Sequence, residues 1–119
     1  MPHLVLEYTD NLSAPDMRVV LQALNNVLIA TGLFPAADIK ARAYCLQSAM
    51  HVVGDGSIMD GFAALRLHTR LADTEKKQAI AADLLAVLKQ RITSPLPVQY
   101  SVDIIQIDPA VYSKDRIAI

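Results

Sequence analysis

Pro2-His3-Leu4-Val5-Leu6-Glu7-Tyr8, the run directly after Met1, decides the fold. It is short, mostly apolar and closed by Asp10-Asn11, so Leu4–Tyr8 reads as a strand. A helix start follows it. Ser13 is placed to cap, Pro15 suits a first turn, and Asp16 completes a Ser-x-x-Asp box. Met17, Val20, Leu21, Leu24 and Val27 then recur at helical spacing, with Arg18, Gln22, Asn25 and Asn26 opposite. Gly32 stands where a left-handed residue ends a helix, and Pro35 prevents continuation.

Strand grammar returns at Ile39–Leu46. Ile39, Ala41, Ala43 and Cys45 alternate with Lys40, Arg42, Tyr44 and Leu46. Gln47–Val53 reads as an extension of this strand or a short edge piece, and Gly54-Asp55-Gly56 as a turn. Phe62–Leu71 is a second long strand. Asp73 or Thr74 caps a second helix running to about Ile92, with Ile80, Leu84, Leu88 and Ile92 on its apolar side. Ser94-Pro95-Leu96-Pro97 ends it, Val98–Ile107 is the last strand, and Asp108-Pro109 turns into a tail.

Strand–helix–strand thus occurs twice, in pseudo-repeats of roughly 1–56 and 57–119 within a single domain spanning 1–119. The expected class is α+β: two βαβ units forming a four-stranded sheet with two helices on one face. The other sheet face is left uncovered. With 53% hydrophobic and only 19% charged residues, burial of that face between subunits is expected.

The bulk numbers exclude several functions. Net charge is −1, without a basic run or a Trp, so nucleic acid and anionic membrane are not expected partners. No apolar stretch reaches membrane-spanning length, and the first residues do not read as a secretory leader. One cysteine, Cys45, allows no internal disulfide framework and fits a reducing, cytoplasmic setting. Three scattered histidines and one cysteine give no metal-ligand spacing, so a metal is not expected.

Two features carry chemistry. If Met1 is removed, Pro2 becomes a free secondary amine, a base that no internal residue can supply. An α-amino group titrates near pH 8, and an apolar pocket or cationic neighbours lower it towards neutrality. The second feature is Lys40, Arg42 and Tyr44 on one strand face, a solvated surface or an anion site in which Arg binds carboxylates bidentately. In a βαβ unit the two parallel strands are neighbours, so Pro2 and Lys40, each heading a strand, fall close together.

These residues belong to a longer pattern. Pro2-His3, Leu6-Glu7-Tyr8-Thr9-Asp10-Asn11, Ala30-Thr31-Gly32-Leu33-Phe34-Pro35 and Ile39-Lys40-Ala41-Arg42-Ala43 follow in order. Asp55-Gly56, Phe62, Glu75-Lys76-Lys77-Gln78 and Asp108-Pro109 complete it. In this the chain resembles the 5-carboxymethyl-2-hydroxymuconate Δ-isomerase family of the tautomerase superfamily, over nearly its whole length. The resemblance implies a homotrimer of tautomerase-like subunits whose sheets face the three-fold axis. It implies a cofactor-free isomerase in homoprotocatechuate breakdown, acting on a small unsaturated 2-hydroxy or 2-oxo carboxylic acid. Pro2 is then the general base, and Arg42, with Lys40 at an arginine's place, polarises a carbonyl oxygen and holds carboxylates. Arg70 either binds substrate from a shifted position or leaves that clamp missing, and Tyr44, from its place on the strand face, is expected to hydrogen-bond substrate or a neighbouring subunit. Three positions depart from the family pattern: Lys40 replaces an Arg, Thr69-Arg70-Leu71-Ala72-Asp73 replaces a Gly-Arg pair, and Cys45 replaces a Trp.

The competing readings are a non-catalytic trimer of the same fold, which binds or scaffolds, and an RNA-binding or metal-carrying four-strand module. The last lacks paired strand aromatics, basic excess and Cys-x-x-Cys. His3 is read as structural because it points away from Pro2, Cys45 as a packed small hydrophobe, and His51 and His68 as satisfied by local hydrogen bonds.

Overall fold

The structure, a computed structural model, describes residues 1–13 and 16–118. Four strands, β1 (His3–Thr9), β2 (Lys40–Leu46), β3 (Gly61–Thr69) and β4 (Val98–Gln106), form one sheet in the order β2-β1-β3-β4. Helix α1 (Met17–Ala30) links β1 to β2, and α2 (Thr74–Arg91) links β3 to β4. β1 and β2 are parallel, β3 and β4 are parallel, and β1 meets β3 antiparallel. The two βαβ units are therefore joined back to back through their first strands.

One sheet face makes the core. Leu4 pairs with Leu67 and Leu6 with Leu65 in the β1–β3 register, so all four point the same way. They are fully buried against Val20, Leu24 and Leu28 of α1 and Ile80, Leu84 and Leu88 of α2. Both helices thus cover the same face, because each carries its buried residues four apart. Burying a leucine side chain is worth about 1.5–3 kcal/mol, which makes this layer the dominant stabilising element.

The opposite face carries His3, Val5 and Glu7 of β1 beside Lys40, Arg42 and Tyr44 of β2, and Arg66 and His68 of β3. It is uncovered, as expected from the sequence, but it is mixed rather than apolar. Arg66 Nη1 donates to Glu7 Oε1 at 2.7 Å across it. Met50, Val52, Ile58 and Met59, exposed large apolar side chains, lie instead in the loop between β2 and β3.

Several boundaries differ from the sequence expectation. Asp16, not Ser13, caps α1, its side chain accepting from Arg18 N. Ser13 is drawn into an antiparallel bridge with Thr93, Ser13 N donating to Thr93 O at 2.7 Å, so its backbone is extended. The expected role of Pro15 lies outside the described residues. Gln47–Val53 is not strand: it holds a single 3₁₀ turn, Ser48–Met50. The physical reason is that β1, the strand beside β2 in the sheet, ends at Thr9, so among the described residues no strand continues alongside this segment. β3 stops at Thr69, whose hydroxyl accepts from Leu71 N at 3.1 Å and turns the chain. The cap at Asp73 and the left-handed Gly32, at φ 71°, stand as expected.

Candidate active site

The parallel pairing of β1 with β2 fixes the site. Lys40 N donates to Pro2 O at 3.2 Å, so the head of the first strand is tied to the head of the second. Pro2 is buried on the helix side, in phase with Leu4 and Leu6. Lys40 is in register with His3 and so belongs to the open face. The two are adjacent through the backbone while their side chains leave the sheet on opposite sides. With Met1 in place, the Pro2 nitrogen is an amide.

A cleft of about 380 Å³ opens at this end of the sheet, lined by Met1, Phe34, Asp38, Thr69, Arg70 and Leu71. Its walls come from the turn after α1, the 3₁₀ turn Ala36–Asp38 and the segment after β3. Phe34 supplies an apolar wall and Arg70 a cation. Asp38 Oδ2 lies 3.8 Å from the Met1 amine, and Asp38 Oδ1 accepts from Lys114 Nζ at 3.2 Å. Lys40 Nζ donates to the Asp38 backbone oxygen at 2.9 Å. Lys40, Arg70 and Lys114 therefore surround the amino terminus with one carboxylate among them. The amine is held below the ordinary amine value by burial first; Asp38 opposes that, and Lys114, Lys40 and Arg70 reinforce it. Lys114 holds the Asp38 carboxyl below the usual carboxylate range by hydrogen bonding to it.

A second hollow of about 320 Å³ lies on the open face, lined by His3, Arg42, His68, Ile107 and Tyr112. Arg42 Nη1 lies 3.5 Å from His3 Nδ1, and His3 Nε2 is 3.0 Å from the Tyr112 hydroxyl. A guanidinium only donates, so Nδ1 is the accepting nitrogen and Nε2 carries the proton that is given to Tyr112. That arrangement favours the neutral ring. Burial first, then Arg42 and Lys40, keep it below the ordinary histidine value.

The residues singled out in the sequence separate into two groups. Pro2, Lys40 and Arg70 lie at the same end of the sheet; Arg70 lines the amino-terminal cleft, while Pro2 and Lys40 are tied to each other through the backbone beside it. Arg42 lies on the open face in the adjoining hollow. Tyr44, 54% exposed, stands four residues beyond Lys40, about 13 Å along the strand, and lines neither space. Cys45 is exposed at the end of the edge strand rather than packed. His51 Nε2 lies 3.5 Å from Asp10 Oδ1 without hydrogen-bond geometry and packs edge-on to Phe62.

Asp38 in the cleft, Lys114 paired with it and Tyr112 in the second hollow are placements that periodicity does not reveal. Asp38 and Lys114 are 76 positions apart and meet only because the tail folds back over the head of the sheet. Among the described residues no cluster of His, Cys, Asp and Glu suits a metal ion, and no helix is long and apolar enough to cross a membrane.

Comparison with known proteins bears on the fold and the family. A family described as 5-carboxymethyl-2-hydroxymuconate isomerase matches residues 2–117. A crystal structure of a 5-carboxymethyl-2-hydroxymuconate isomerase from Deinococcus radiodurans R1 is 34% identical, with a TM-score of 0.85 over 98% of this chain and 90% of that one. The structure of Pt0534 inactivated by 2-oxo-3-pentynoate is 16% identical, with a TM-score of 0.76 over 94% of this chain and 90% of that one. A fused 4-OT protein described as a symmetric trimer is 15% identical, with a TM-score of 0.76 over 95% of this chain and 93% of that one. The last two share the fold alone. A search of curated proteins found no match.

Proposed function

Because this chain belongs to the 5-carboxymethyl-2-hydroxymuconate isomerase family, and is thus an isomerase, we propose that it ketonises a small unsaturated 2-hydroxy acid with Pro2 as general base. Removal of Met1 frees the Pro2 nitrogen. The nitrogen takes the proton of the 2-hydroxyl, the conjugated double bonds shift, and the same proton is delivered to a chain carbon. One proton leaves oxygen and one arrives at carbon, so the balance closes without an electron acceptor. General base catalysis of this kind contributes typically about 10²–10⁴-fold.

The observation that carries the reading is the cleft at the chain's head, where a partly buried amino terminus lies within the field of Arg70, which lines the cleft, and of Lys40. Burial and cations favour the free-base form of an amine, and the same cations attract a carboxylate. Arg70 binds a substrate carboxylate at the mouth. Lys40 and Arg42 stabilise the oxygen on which charge develops. Lys40 keeps charge where a planar fork is expected, so its contact is a point charge rather than a bidentate one.

Arg42 and Tyr44 reach a substrate through assembly. The chain forms a homotrimer in which its open face meets a neighbouring copy, and the site is completed across that boundary. The uncovered face and the exposed apolar loop between β2 and β3 support this, as does the trimer described for the fused 4-OT relative.

The test is ultraviolet-monitored ketonisation of 2-hydroxymuconate. Pro2→Ala is expected to lower kcat by about 10²-fold or more. Unchanged turnover in Pro2→Ala would remove the base assignment, and absence of turnover in the wild type, with Met1 gone, would favour a binding protein of the same fold.

A further inference from the structure

Two charged residues at the cleft have no role in the reaction as described: Asp38 and Lys114. Their arrangement is specific. The two oxygens of one carboxylate face different partners, Oδ1 taking Lys114 Nζ at 3.2 Å and Oδ2 facing the Met1 amine at 3.8 Å. Lys114 belongs to the C-terminal tail, which is anchored two residues earlier by Tyr112 on His3. Asp38 is held from the other side, its backbone oxygen accepting from Lys40 Nζ and its backbone N donating to Pro35 O at 3.0 Å.

We propose that Asp38 and Lys114 act together as a positioning pair for the amino-terminal base, Lys114 fixing and partly neutralising the one carboxylate that faces the amino terminus. This rests on the reading of Pro2 as that base. Asp38 opposes the chemistry when it stands alone. A carboxylate beside an amine favours the ammonium form, which is no base. The tail lysine offsets this, and it also holds the carboxylate on the Oδ1 side. The tail thereby sets how much free base exists at neutral pH. The groups facing the amino terminus are Asp38 from the 3₁₀ turn, Lys40 from β2, Arg70 from the segment after β3, Lys114 from the tail and, more distantly, His3 from β1.

The geometry carries over once Met1 has left. Pro2 remains tied to Lys40, two residues from Asp38. With 3.8 Å between Asp38 Oδ2 and the Met1 nitrogen, and at most about 3.7 Å more across one residue, the Pro2 nitrogen falls within roughly 7.5 Å of that oxygen. At that range a carboxylate still holds an amine above the value it has without it.

The experiment is an NMR titration of the amino-terminal ¹⁵N in the full-length protein, its mass establishing whether the terminus is Pro2 or Met1. Asp38→Asn is expected to lower the titration midpoint by about half a unit or more. Lys114→Met is expected to raise it, and Lys114→Arg to leave it near the wild type. Opposite movements are required, since a merely structural tail contact gives none or gives the same direction for both. Midpoints within about 0.2 unit of the wild type in both charge-removing variants, or shifts of the same sign, overturn the proposal. Should Lys114→Met not fold, Asp38→Asn and Lys114→Arg carry the test, and an Asp38→Asn midpoint that stays or rises refutes it. The readout needs no turnover. Failure of the base reading appears instead as retained Met1 or as activity surviving Pro2→Ala.

Discussion

Gly61→Ala places a methyl group where the fold has no room for one. Gly61 opens β3, and a Cβ built on it meets Leu12 Cδ2 in a clash, Asn11 Oδ1 at 2.8 Å and Thr9 Oγ1 at 3.0 Å. The leucine tip can rotate away. The other two cannot move freely, because Thr9 Oγ1 donates to Asn11 Oδ1 at 2.5 Å and accepts from Phe62 N at 3.0 Å. Thr9 is fully buried, so a broken bond there is not replaced by water. Overpacking costs about 1–3 kcal/mol and a lost internal hydrogen bond about 0.5–1.5, giving roughly 2–4 kcal/mol together. At roughly 2.1 cal/mol/K per residue over 119 residues, Tm falls by about 8–16 °C. The assay is thermal unfolding by circular dichroism at one fixed protein concentration, because any association of copies would make Tm depend on concentration. Gly32 separates sterics from backbone strain. Nothing lies within 4 Å of a Cβ there, but φ is +71°, so Gly32→Asn is tolerated while Gly61→Asn is not. Adding Leu12→Ala to Gly61→Ala recovers part of the loss. A Gly61→Ala protein within about 0.5 kcal/mol of the wild type refutes the reasoning.

Two further predictions concern the site. Arg70→Gln removes a carboxylate anchor from the cleft and is expected to lower kcat/KM by roughly 10–100-fold, mainly through KM, the range of one charge-assisted hydrogen bond; steady-state kinetics on 2-hydroxymuconate checks it, and an unchanged KM removes Arg70 from the site. His3 is held below the ordinary histidine value by burial, Arg42 and Lys40, so between that lowered value and about 6.5 the unfolded chain binds more protons than the folded one. Stability therefore rises with pH through this window, is full above it and declines on acidification. Thermal unfolding of the wild type is expected to lose more Tm between pH 7 and pH 5 than His3→Gln does, and equal losses contradict the assignment.

The architecture was legible because its determinants are local. Val20 and Leu24 in α1, and Ile80, Leu84 and Leu88 in α2, recur at helical spacing, and all are buried where that spacing puts them. The alternation of β2 placed Lys40, Arg42 and Tyr44 on one face, which the register with His3, Val5 and Glu7 bears out. What was not legible depends on partners far along the chain. Ser13 and Asp16 are equally good caps in isolation, and Thr93 decides between them by pairing with Ser13. Gln47–Val53 has strand-like letters but no strand beside it. The resemblance named Pro2, Lys40 and Arg70, and the structure brings these three to one end of the sheet. It supplied nothing about Asp38 and Lys114, whose meeting is a property of the folded tail.

The central claim is that the chain works through a free amino-terminal proline, and intact-mass measurement after treatment with 2-oxo-3-pentynoate tests it most directly. The reagent carries a carboxylate for the cationic cleft and an alkyne conjugated to a ketone, which a free secondary amine attacks. The account predicts a chain lacking Met1, one adduct per chain on the peptide that begins at Pro2, and loss of ketonisation in step with labelling. A chain that retains Met1, takes no label at its amino terminus and still ketonises 2-hydroxymuconate would contradict it.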